Sequence, residues 1–575
     1  MNSRIMLTLV AMLAPAGLSA QSNQDLQKQI EQLKIQLKAV EDKAAAAQEV
    51  DARLVKVETK VAGDNIQWGG DLRTRFESST WSFKPYQQFM GFAQAAGAPA
   101  GALPPGYPYP FMALTQNVPA QDWTNSVQWS TRLRLRMGIT INEHAKIMGR
   151  LTMYKVHGGA DVPTFNGSPN TVANSFNDAK VPGTDVLRVE RASLVYDFPV
   201  GVLSIGRQNT SDGPPFEVRE GGERQATPQA LAVNALVDGI GFKFHLDKLG
   251  LPENTLLGLC YGVGYESGFG GGGSVKSGAA PVGFNFTNVN WTAQGPNAAA
   301  ATLQVNSIGP LKDSTVLGAM YDMPLLFQVG ESVHSANFYL GFNRFGNMTD
   351  IPFGSTNNFP VPAMPGMGGM PSIQYVTATN NLGDMDQWTA TWKHKIGDAF
   401  TYFASYGRIK SKPNGKMSQY GAYWTMPPAM GGTQQLAGFG GLLGDAKNSQ
   451  TASAYYVGMR WDATDKLGFG AEFNHGSPRW FTYSPATGEA TEKLGTRGDV
   501  WEGYVHWQFA KNAAFRLGYL DYKYSHAFSG WHISPGASMP GQSWEDAYDL
   551  AKNPMLQYGF PAAVKSTYAS LEVKF

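Results

Sequence analysis

The chain has little charge, a single cysteine and no long apolar run beyond its first residues. Charged residues make up 16% of the 575 positions, against about 25% in an ordinary soluble domain. Beyond the N-terminus no apolar run approaches the roughly 20 residues that a membrane-spanning helix needs. The lone Cys260 permits no internal disulfide. These absences exclude a polytopic helical membrane protein and a fold stapled by disulfides.

The motifs of enzymes and metal sites are also missing. The nine histidines include no pair at i, i+4, one cysteine cannot build a thiolate site, and no Gly-x-Ser-x-Gly occurs. The 46 basic residues balance 45 acidic ones, which argues against nucleic acid as the main partner. We therefore expect no enzymatic activity, no cofactor and no metal ion.

Glycine and aromatic residues are abundant, at 66 glycines and 12% aromatics. With low charge and no spanning helix, this composition points to a membrane β-barrel. The first residues combine Arg4 with the apolar run Ile5 to Met12, and Leu18-Ser19-Ala20 offers a small-residue cleavage site. We interpret 1–20 as a cleaved secretory signal peptide.

Residues 21–63 show a heptad pattern that predicts a helix. The apolar positions recur at alternating steps of four and three: Leu26, Ile30, Leu33, Leu37, Val40, Ala44, Ala47 and, after one slip, Val50, Leu54, Val57 and Val61. So narrow a stripe favours an oligomeric coiled coil, although these residues do not decide between two strands and three. The alternative is a helix folded back on the barrel or lying on a membrane.

From residue 64 to 575 the apolar period changes from helical to two. In Val127 to Asn142, apolar residues alternate with polar ones that include three arginines. Three arginines on one face of a long strand need water, which favours a strand with lipid on its other side. Similar segments recur, and we count sixteen strands between Ile66 and Phe575. The predicted fold is an all-β transmembrane barrel of about 16 antiparallel strands, preceded by the α-helical coiled coil.

Short connections alternate with long ones, as in outer-membrane barrels. An even number of strands puts both ends of the barrel on the short-turn, periplasmic side, so the coil is expected in the periplasm. In the last strand, Ala569, Leu571, Val573 and Phe575 form an apolar face. Such a strand ending in Phe resembles the C-terminal signature that bacterial assembly machinery recognises in barrel substrates. We therefore expect the protein in the bacterial cell outer membrane.

The layout resembles trimeric bacterial porins that carry an N-terminal periplasmic coiled coil, as in the phosphate-selective type. It also resembles porin-like barrels grouped as a domain of unknown function. The resemblance lies in the coil 26–61, the first strand Trp68 to Glu77, the segment Leu203 to Gln208 and the last strand. It implies passive diffusion of small polar or anionic solutes through a homotrimer in outer-membrane lipid.

Taking apolar strand positions as lipid-facing assigns a set of arginines to the lumen of the barrel. These pore-lining candidates are Arg73, Arg75, Arg132, Arg134, Arg136 and Arg150. Guanidinium groups suit phosphate and carboxylate, and a ladder of them selects anions. The alternative is that these arginines pair with Asp71, Glu77 and acids of other strands, and so brace the wall.

The long connection after Gln208 is rich in mixed charges. Its charged residues are Asp212, Glu217, Arg219, Glu220, Glu223 and Arg224. This loop is a candidate constriction that folds inward, or else a solvated extracellular loop. Two other functions stay open besides a porin: a barrel scaffold or sheath that docks a periplasmic partner, and a surface adhesin or structural barrel with an occluded lumen.

Overall fold

The computed structural model divides into two units, Met1–Asn65 and Ile66–Phe575. The residues that it describes are 27–28, 30–40, 53, 66–94, 111–158, 185–209, 231, 233, 235–265, 284–287, 290–292, 295–297, 302–305, 311–350, 380–416, 422–424, 434–436, 439–483, 493–526, 529–530, 532–535 and 561–575.

In the first unit, residues 30–40 are helical. The apolar side chains Ile30, Leu33, Leu37 and Val40 are 50–63% exposed in the single chain. The predicted signal peptide 1–20 and most of the predicted coil lie outside the described residues, so the coiled coil stays a prediction. No helix among the described residues is long and apolar enough to cross a membrane.

The second unit is a closed antiparallel β-barrel of sixteen strands. In chain order these are β1 (Ile66–Phe83), β2 (Gln121–Thr140), β3 (Ala145–Val156), β4 (Arg188–Phe198), β5 (Gly201–Asn209), β6 (Leu236–His245), β7 (Leu256–Tyr265), β8 (Ser314–Val329), β9 (Ser332–Thr349), β10 (Asn381–Ile396), β11 (Phe400–Pro413), β12 (Thr451–Asp462), β13 (Leu467–Gly476), β14 (Gly498–Ala510), β15 (Ala513–Tyr524) and β16 (Pro561–Lys574). Each strand pairs with its neighbours in the chain, and β1 pairs with β16 to close the barrel. The sequence prediction of sixteen antiparallel strands is confirmed.

The closing seam fixes both ends of the barrel. Asp71 lies opposite Lys574 in the β1–β16 register, and the backbone N–H groups of Gly70 and Phe575 each donate to the other residue's carbonyl, at 2.8 and 3.0 Å. On the other side of β1, Ile66 lies opposite Ile139, just before the short turn 141–144. The barrel therefore begins and ends at its short-turn end.

Alternation along the strands separates an inner and an outer face. In β11, Ser405, Gly407 and Ile409 are buried, while Tyr406 and Arg408 between them are exposed. Most large apolar side chains on the outer faces of the strands are likewise exposed. Among these are Trp68, Leu72, Phe76, Trp129, Leu194, Ile205, Ile240, Leu259, Leu340, Trp388, Val457, Trp461, Trp501, Trp507, Leu517 and Leu571.

Several strands run further toward the long-loop end than the alternation predicts. β1 extends to Phe83 and β2 begins at Gln121, and beyond them Tyr86–Gln94 pairs with Phe111–Val118. The long connection between the predicted strands Trp68 to Glu77 and Val127 to Asn142 therefore contains paired strands, because the backbone ladder of two strands does not require alternating side chains. Other short strands in the long connections are Phe284–Thr287, Asn290–Thr292, Gly295–Asn297, Thr302–Val305, Ala422–Trp424, Gln434–Leu436, Phe439–Leu442 and Ile533–Pro535, and a 3-10 helix spans Leu246–Leu249.

Candidate pore: the inner wall and its closure

The six arginines that the sequence assigns to the lumen all lie on the inner face of neighbouring strands. They come from β1, β2 and β3: Arg73, Arg75, Arg132, Arg134, Arg136 and Arg150. The pairing places Arg73 opposite Arg132 and Arg136 opposite Arg150. We call this set the arginine wall.

One carboxylate holds three members of the wall. Asp71, which is fully buried, accepts hydrogen bonds from Arg132 at 3.2 Å, Arg134 at 2.8 Å and Arg136 at 3.1 Å. Arg132 also lies 3.7 Å from Glu572 of the last strand. Because charge-assisted hydrogen bonds are directional, this arrangement fixes the three guanidinium groups in a column along β2.

The remaining members also have partners. Arg75 Nε donates to Glu77 at 3.0 Å, and Arg150 Nε donates to Glu190 at 2.7 Å with a second contact between the same side chains. Arg73 donates to the Tyr154 hydroxyl at 3.4 Å.

Carboxylates of the barrel strands lie among these arginines. Within the described part of the chain, the ion pairs of the wall involve Asp71, Glu77, Glu190 and Glu572. These carboxylates brace most of the wall from inside the barrel.

Arg136 differs from the other arginines in its exposure. Its side chain is 52% exposed, whereas those of Arg75, Arg132, Arg134 and Arg150 are 3–12% exposed. Its inward-facing neighbour Met148 is exposed as well. Water therefore reaches the wall at Arg136, toward the short-turn end, and a passing anion would meet this guanidinium group.

On the opposite side of the seam, a lysine from a long connection binds to the inner wall. Lys493 Nζ lies 2.6 Å from Glu472 of β13 and 2.9 Å from Glu502 of β14, and all three side chains have 0% exposure. Glu472 and Glu502 are direct neighbours in the β13–β14 register. We call this buried lysine with its two carboxylates the latch, because it joins residues 493–497 to the barrel.

Tyrosines connect the latch to the arginine wall. Tyr568 of β16 donates its hydroxyl hydrogen to Glu502 at 2.6 Å, and the guanidinium group of Arg75 lies over the Tyr568 ring at 3.8 Å. On the far side, Tyr456 donates to Glu472 at 2.6 Å. Gly518 of β15 makes room for the Tyr568 ring, since a Cβ there would lie 2.4 Å from the ring.

Apolar side chains from the long connections fill the inside of the barrel above the latch. Trp480 and Leu231 lie against Gly407 of β11, where a Cβ would be 2.7 and 3.2 Å from them. The cluster joins buried loop residues to inward strand residues: Leu231, Val233, Leu442, Leu443, Trp480, Phe481, Tyr483 and Leu494 with Phe345, Met385, Ile409, Ala452, Ala454, Val500, Leu520, Tyr522 and Val564. We call the loop residues of this cluster the inner plug. It occupies the long-loop end on the side of β8 to β16.

A buried histidine connects three segments of the plug region. His532 Nε2 is 2.7 Å from the Thr349 carbonyl, its own carbonyl accepts from Leu443 N–H at 2.8 Å, and its ring lies 5.5 Å from that of Phe481. The bond to Thr349 requires hydrogen on Nε2, and Nδ1 is buried with no hydrogen-bond partner among the described residues. Burial lowers the pKa of His532 to about 4.

The charged residues 212–224 of the candidate constriction lie outside the described residues. The loop residues that the structure does place inside the barrel include Leu231, Val233, Ala235, 442–446, 480–483 and 493–497, which the sequence analysis did not single out. One signal was present: Trp480-Phe481-Thr482-Tyr483 is an apolar aromatic run in a long connection, where a solvated loop would be polar. Among the described residues, no group of three or more His, Cys, Asp or Glu side chains could hold a metal ion.

Fold and inner wall together define a closed sixteen-strand β-barrel with an apolar outer face, a charged inner wall and loop residues packed inside. The chain belongs to the family described as protein of unknown function DUF3373, whose model matches residues 122–575. No curated protein matches the sequence.

Solved outer-membrane proteins are similar over most of their length. In-vitro-folded OmpT of Vibrio cholerae has 11% identity and a TM-score of 0.36, with 89% of this chain and 97% of that chain covered. OprB of Pseudomonas putida at high pH has 10% identity and a TM-score of 0.38, with 90% and 96% covered. OmpF of Salmonella typhi, in a complex with daunomycin, has 8% identity and a TM-score of 0.36, with 89% and 97% covered. Similarity at this level carries no inference about function.

Proposed function

We propose that the protein is an outer-membrane channel for small polar or anionic solutes, with a passage that runs along the arginine wall. The observation that carries this proposal is the distribution of side chains on the closed barrel. Large apolar residues are exposed on the outer face, while Asp71, Glu190 and the arginines lie inside. Such a molecule is stable with lipid outside and water inside. Diffusion through it needs neither a cofactor nor enzymatic chemistry.

The charge preference in this proposal comes from Arg136. The other arginines of the wall are buried, four of them against carboxylates and Arg73 against the Tyr154 hydroxyl, so they support the wall rather than meet solutes. Arg136 keeps half of its side chain in water while it contacts the buried Asp71. A cationic group in a pore attracts anions and repels cations.

The test is the reversal potential of the detergent-folded protein in a planar bilayer under a salt gradient. We expect an anion-leaning potential in the wild type that moves toward zero in R136Q. The matched control is K565Q, which removes an exposed cation on the outer face of β16 and leaves the potential unchanged. A wild-type channel without anion preference, or an R136Q channel with the wild-type potential, contradicts the proposal.

A second candidate, a barrel with an occluded lumen, is favoured by the inner plug. Trp480, Phe481 and Leu494 are fully buried inside the long-loop end, and side chains so packed leave no water between them. If no conductance is seen for correctly folded wild-type protein, this structural or docking role replaces the channel. The homotrimer and the periplasmic coil belong to the same proposal, supported by the exposed apolar positions of helix 30–40. Analytical ultracentrifugation with and without residues 21–63 tests them.

A further inference from the structure

A group of basic side chains lies on the outer face of the barrel, next to its exposed apolar rows. Arg408, Lys410 and Lys412 occupy successive outward positions of β11, and their inward neighbours Ile409 and Ser411 are fully buried. Arg344 of β9 stands on the same outer face, two strands away. We call these four residues the basic band.

Two carboxylates of β10 lie inside the band and do not neutralise it. Arg344 is 3.0 Å from Asp384 and 3.8 Å from Asp386, which Lys412 also contacts. Four cations against two carboxylates leave two positive charges. Within the described part of the chain, Arg408 and Lys410 make no ion pair, and both are exposed.

The band begins where the exposed apolar surface ends. Arg408 is level with Trp388 of β10, and Tyr406, one outward position nearer the short turns, is level with Tyr455 of β12. Below this aromatic row the outward residues of β12 are Val457, Met459 and Trp461, all exposed. Aromatic side chains concentrate at membrane–water interfaces.

The basic band is tall enough to span a layer of lipid head groups. Arg408 and Lys412 are four residues apart, or roughly 14 Å along the strand. With a strand tilt of about 40° the band spans roughly 10 Å along the barrel axis, against a head-group layer of about 5–7 Å on each side of a bilayer. The band stands at the long-loop end, which in the proposed orientation is the outer leaflet.

We propose that the basic band binds the phosphate groups of a phosphorylated lipid in the outer leaflet, with Arg408 and Lys410 as the direct ligands. This proposal rests on the membrane placement in the proposed function. Arginine offers a planar fork of donors to phosphate, and lysine adds a mobile point charge. The apolar rows below the band supply the surface for the acyl chains of the same molecule.

The test compares R408Q/K410Q with wild type and with K523Q/K565Q. Lys523 and Lys565 are also exposed outward cations near the long-loop end. Like Lys410, which lies opposite Asp386, each lies opposite a carboxylate, Asp499 and Asp521 respectively, but neither belongs to the basic band. Folded protein in detergent is titrated with a bisphosphorylated glucosamine-disaccharide lipid and with its dephosphorylated form, and bound lipid is counted by native mass spectrometry.

We expect R408Q/K410Q to bind the phosphorylated lipid about 30-fold more weakly than wild type, at about tenfold per 1.4 kcal/mol. The control K523Q/K565Q is expected to bind the phosphorylated lipid within about threefold of the wild-type affinity. The dephosphorylated lipid is expected to bind wild type and R408Q/K410Q equally weakly. Equal lipid binding by wild type and R408Q/K410Q, or an equal loss in the control variant, overturns the proposal. If inorganic phosphate displaces the lipid and binds with a similar dissociation constant, the assignment to a lipid is overturned and the band is a site for free anions.

The same preparations separate this proposal from the proposed function. R408Q/K410Q is expected to keep the wild-type conductance and reversal potential, because both residues face away from the lumen. A non-conducting wild type that still binds the phosphorylated lipid with this pattern refutes the channel and leaves the lipid site standing.

Discussion

Removing the charge of Lys493 tests whether the latch holds the inner plug in place. In K493M, Glu472 and Glu502 remain side by side in the β13–β14 register with no cation between them. All three side chains are fully buried, and breaking such a pair from one side costs about 3–5 kcal/mol. The barrel strands keep their backbone hydrogen bonds, so the loss is expected in the attachment of residues 493–497 rather than in the barrel.

A loss of about 3–5 kcal/mol in the attachment of residues 493–497 raises the fraction of molecules in which this segment is detached by roughly 100- to 4,000-fold. We expect K493M to show larger or more frequent conductance steps than wild type in a planar bilayer, and faster amide exchange in residues 493–497. The control is K493M/E472Q/E502Q, in which the two carboxylates are neutral and still accept from Tyr456 and Tyr568. Because no buried charge is left unpaired, its conductance is expected close to that of wild type.

Heat-modifiable gel mobility shows whether each variant has folded as a barrel. If folded K493M conducts and exchanges like wild type, the latch does not hold the plug and the reasoning fails. An equal opening in K493M and the triple variant shows that the lysine acts through packing and not through its charge.

Three further predictions concern the wall, the seam and the plug. R150Q leaves Glu190 buried without its bidentate partner and is expected to lower the free energy of unfolding of the barrel by about 3–5 kcal/mol. R136Q removes a half-exposed side chain and is expected to change it by less than about 1 kcal/mol. Urea-induced unfolding followed by tryptophan fluorescence compares the two variants, and equal losses contradict the division between bracing and solute-facing arginines. G518A forces the Tyr568 ring from its place and is expected to lower the free energy of unfolding by about 1–3 kcal/mol. G503A, where a Cβ meets nothing within 4 Å, is the control in the same assay. Equal urea midpoints for the two variants would show that the ring moves aside at no cost. The pKa of His532 is about 4 in the folded protein, whereas an unfolded histidine titrates near 6.5. Between these pH values the unfolded state binds more protons, so the stability of the plug region is complete above about pH 6.5 and falls as the pH is lowered toward 4. Amide exchange around residue 532 is therefore expected to rise as the pH falls from 6.5 to 4 in wild type and to stay flat in H532N.

The strands of the barrel could be predicted because an apolar outer face and a polar inner face impose a period of two on every strand of a closed barrel. In β2 the arginines and the apolar residues alternate without interruption, and this alone places Arg132, Arg134 and Arg136 on one face. The ends of the strands were predicted less well. Toward the long-loop end the alternation fades, while the ladder between β1 and β2 continues to Phe83 and Gln121.

Of the carboxylates that contact the arginines, only those of the first strand were named from the sequence. Asp71 and Glu77 lie in the first strand, and the sequence analysis named both as alternatives to solute binding. Glu190 is separated from Arg150 by 40 positions of chain and a long connection, and its pairing depends on the register shift between β3 and β4. No pattern within either strand fixes that shift.

The latch and the plug were beyond sequence reasoning for a different physical reason. Glu472 and Glu502 read as ordinary lumen-facing acids, because nothing near them in the chain indicates that a loop lysine will neutralise them. A long connection has no period, so its aromatic residues can lie on the outer surface or inside the barrel equally well. Whether the aromatic residues lie inside the barrel depends on the volume left by Gly407, Gly518 and the other small inward residues. This volume exists only once the barrel has closed.

The two sides of the inner wall are therefore stabilised in different ways. On β1 to β3 the arginines are held by carboxylates of the wall itself, so that side keeps its shape without any loop. On β12 to β16 the carboxylates Glu472 and Glu502 are neutralised by Lys493 from a long connection, so that side is stable only with loop residues packed against it. Tyr568 touches both systems, through Arg75 and through Glu502. In the proposed channel, a solute path along the arginine wall would therefore keep its shape independently of the loop residues packed on the opposite side, and the latch is the charged contact that holds those residues there.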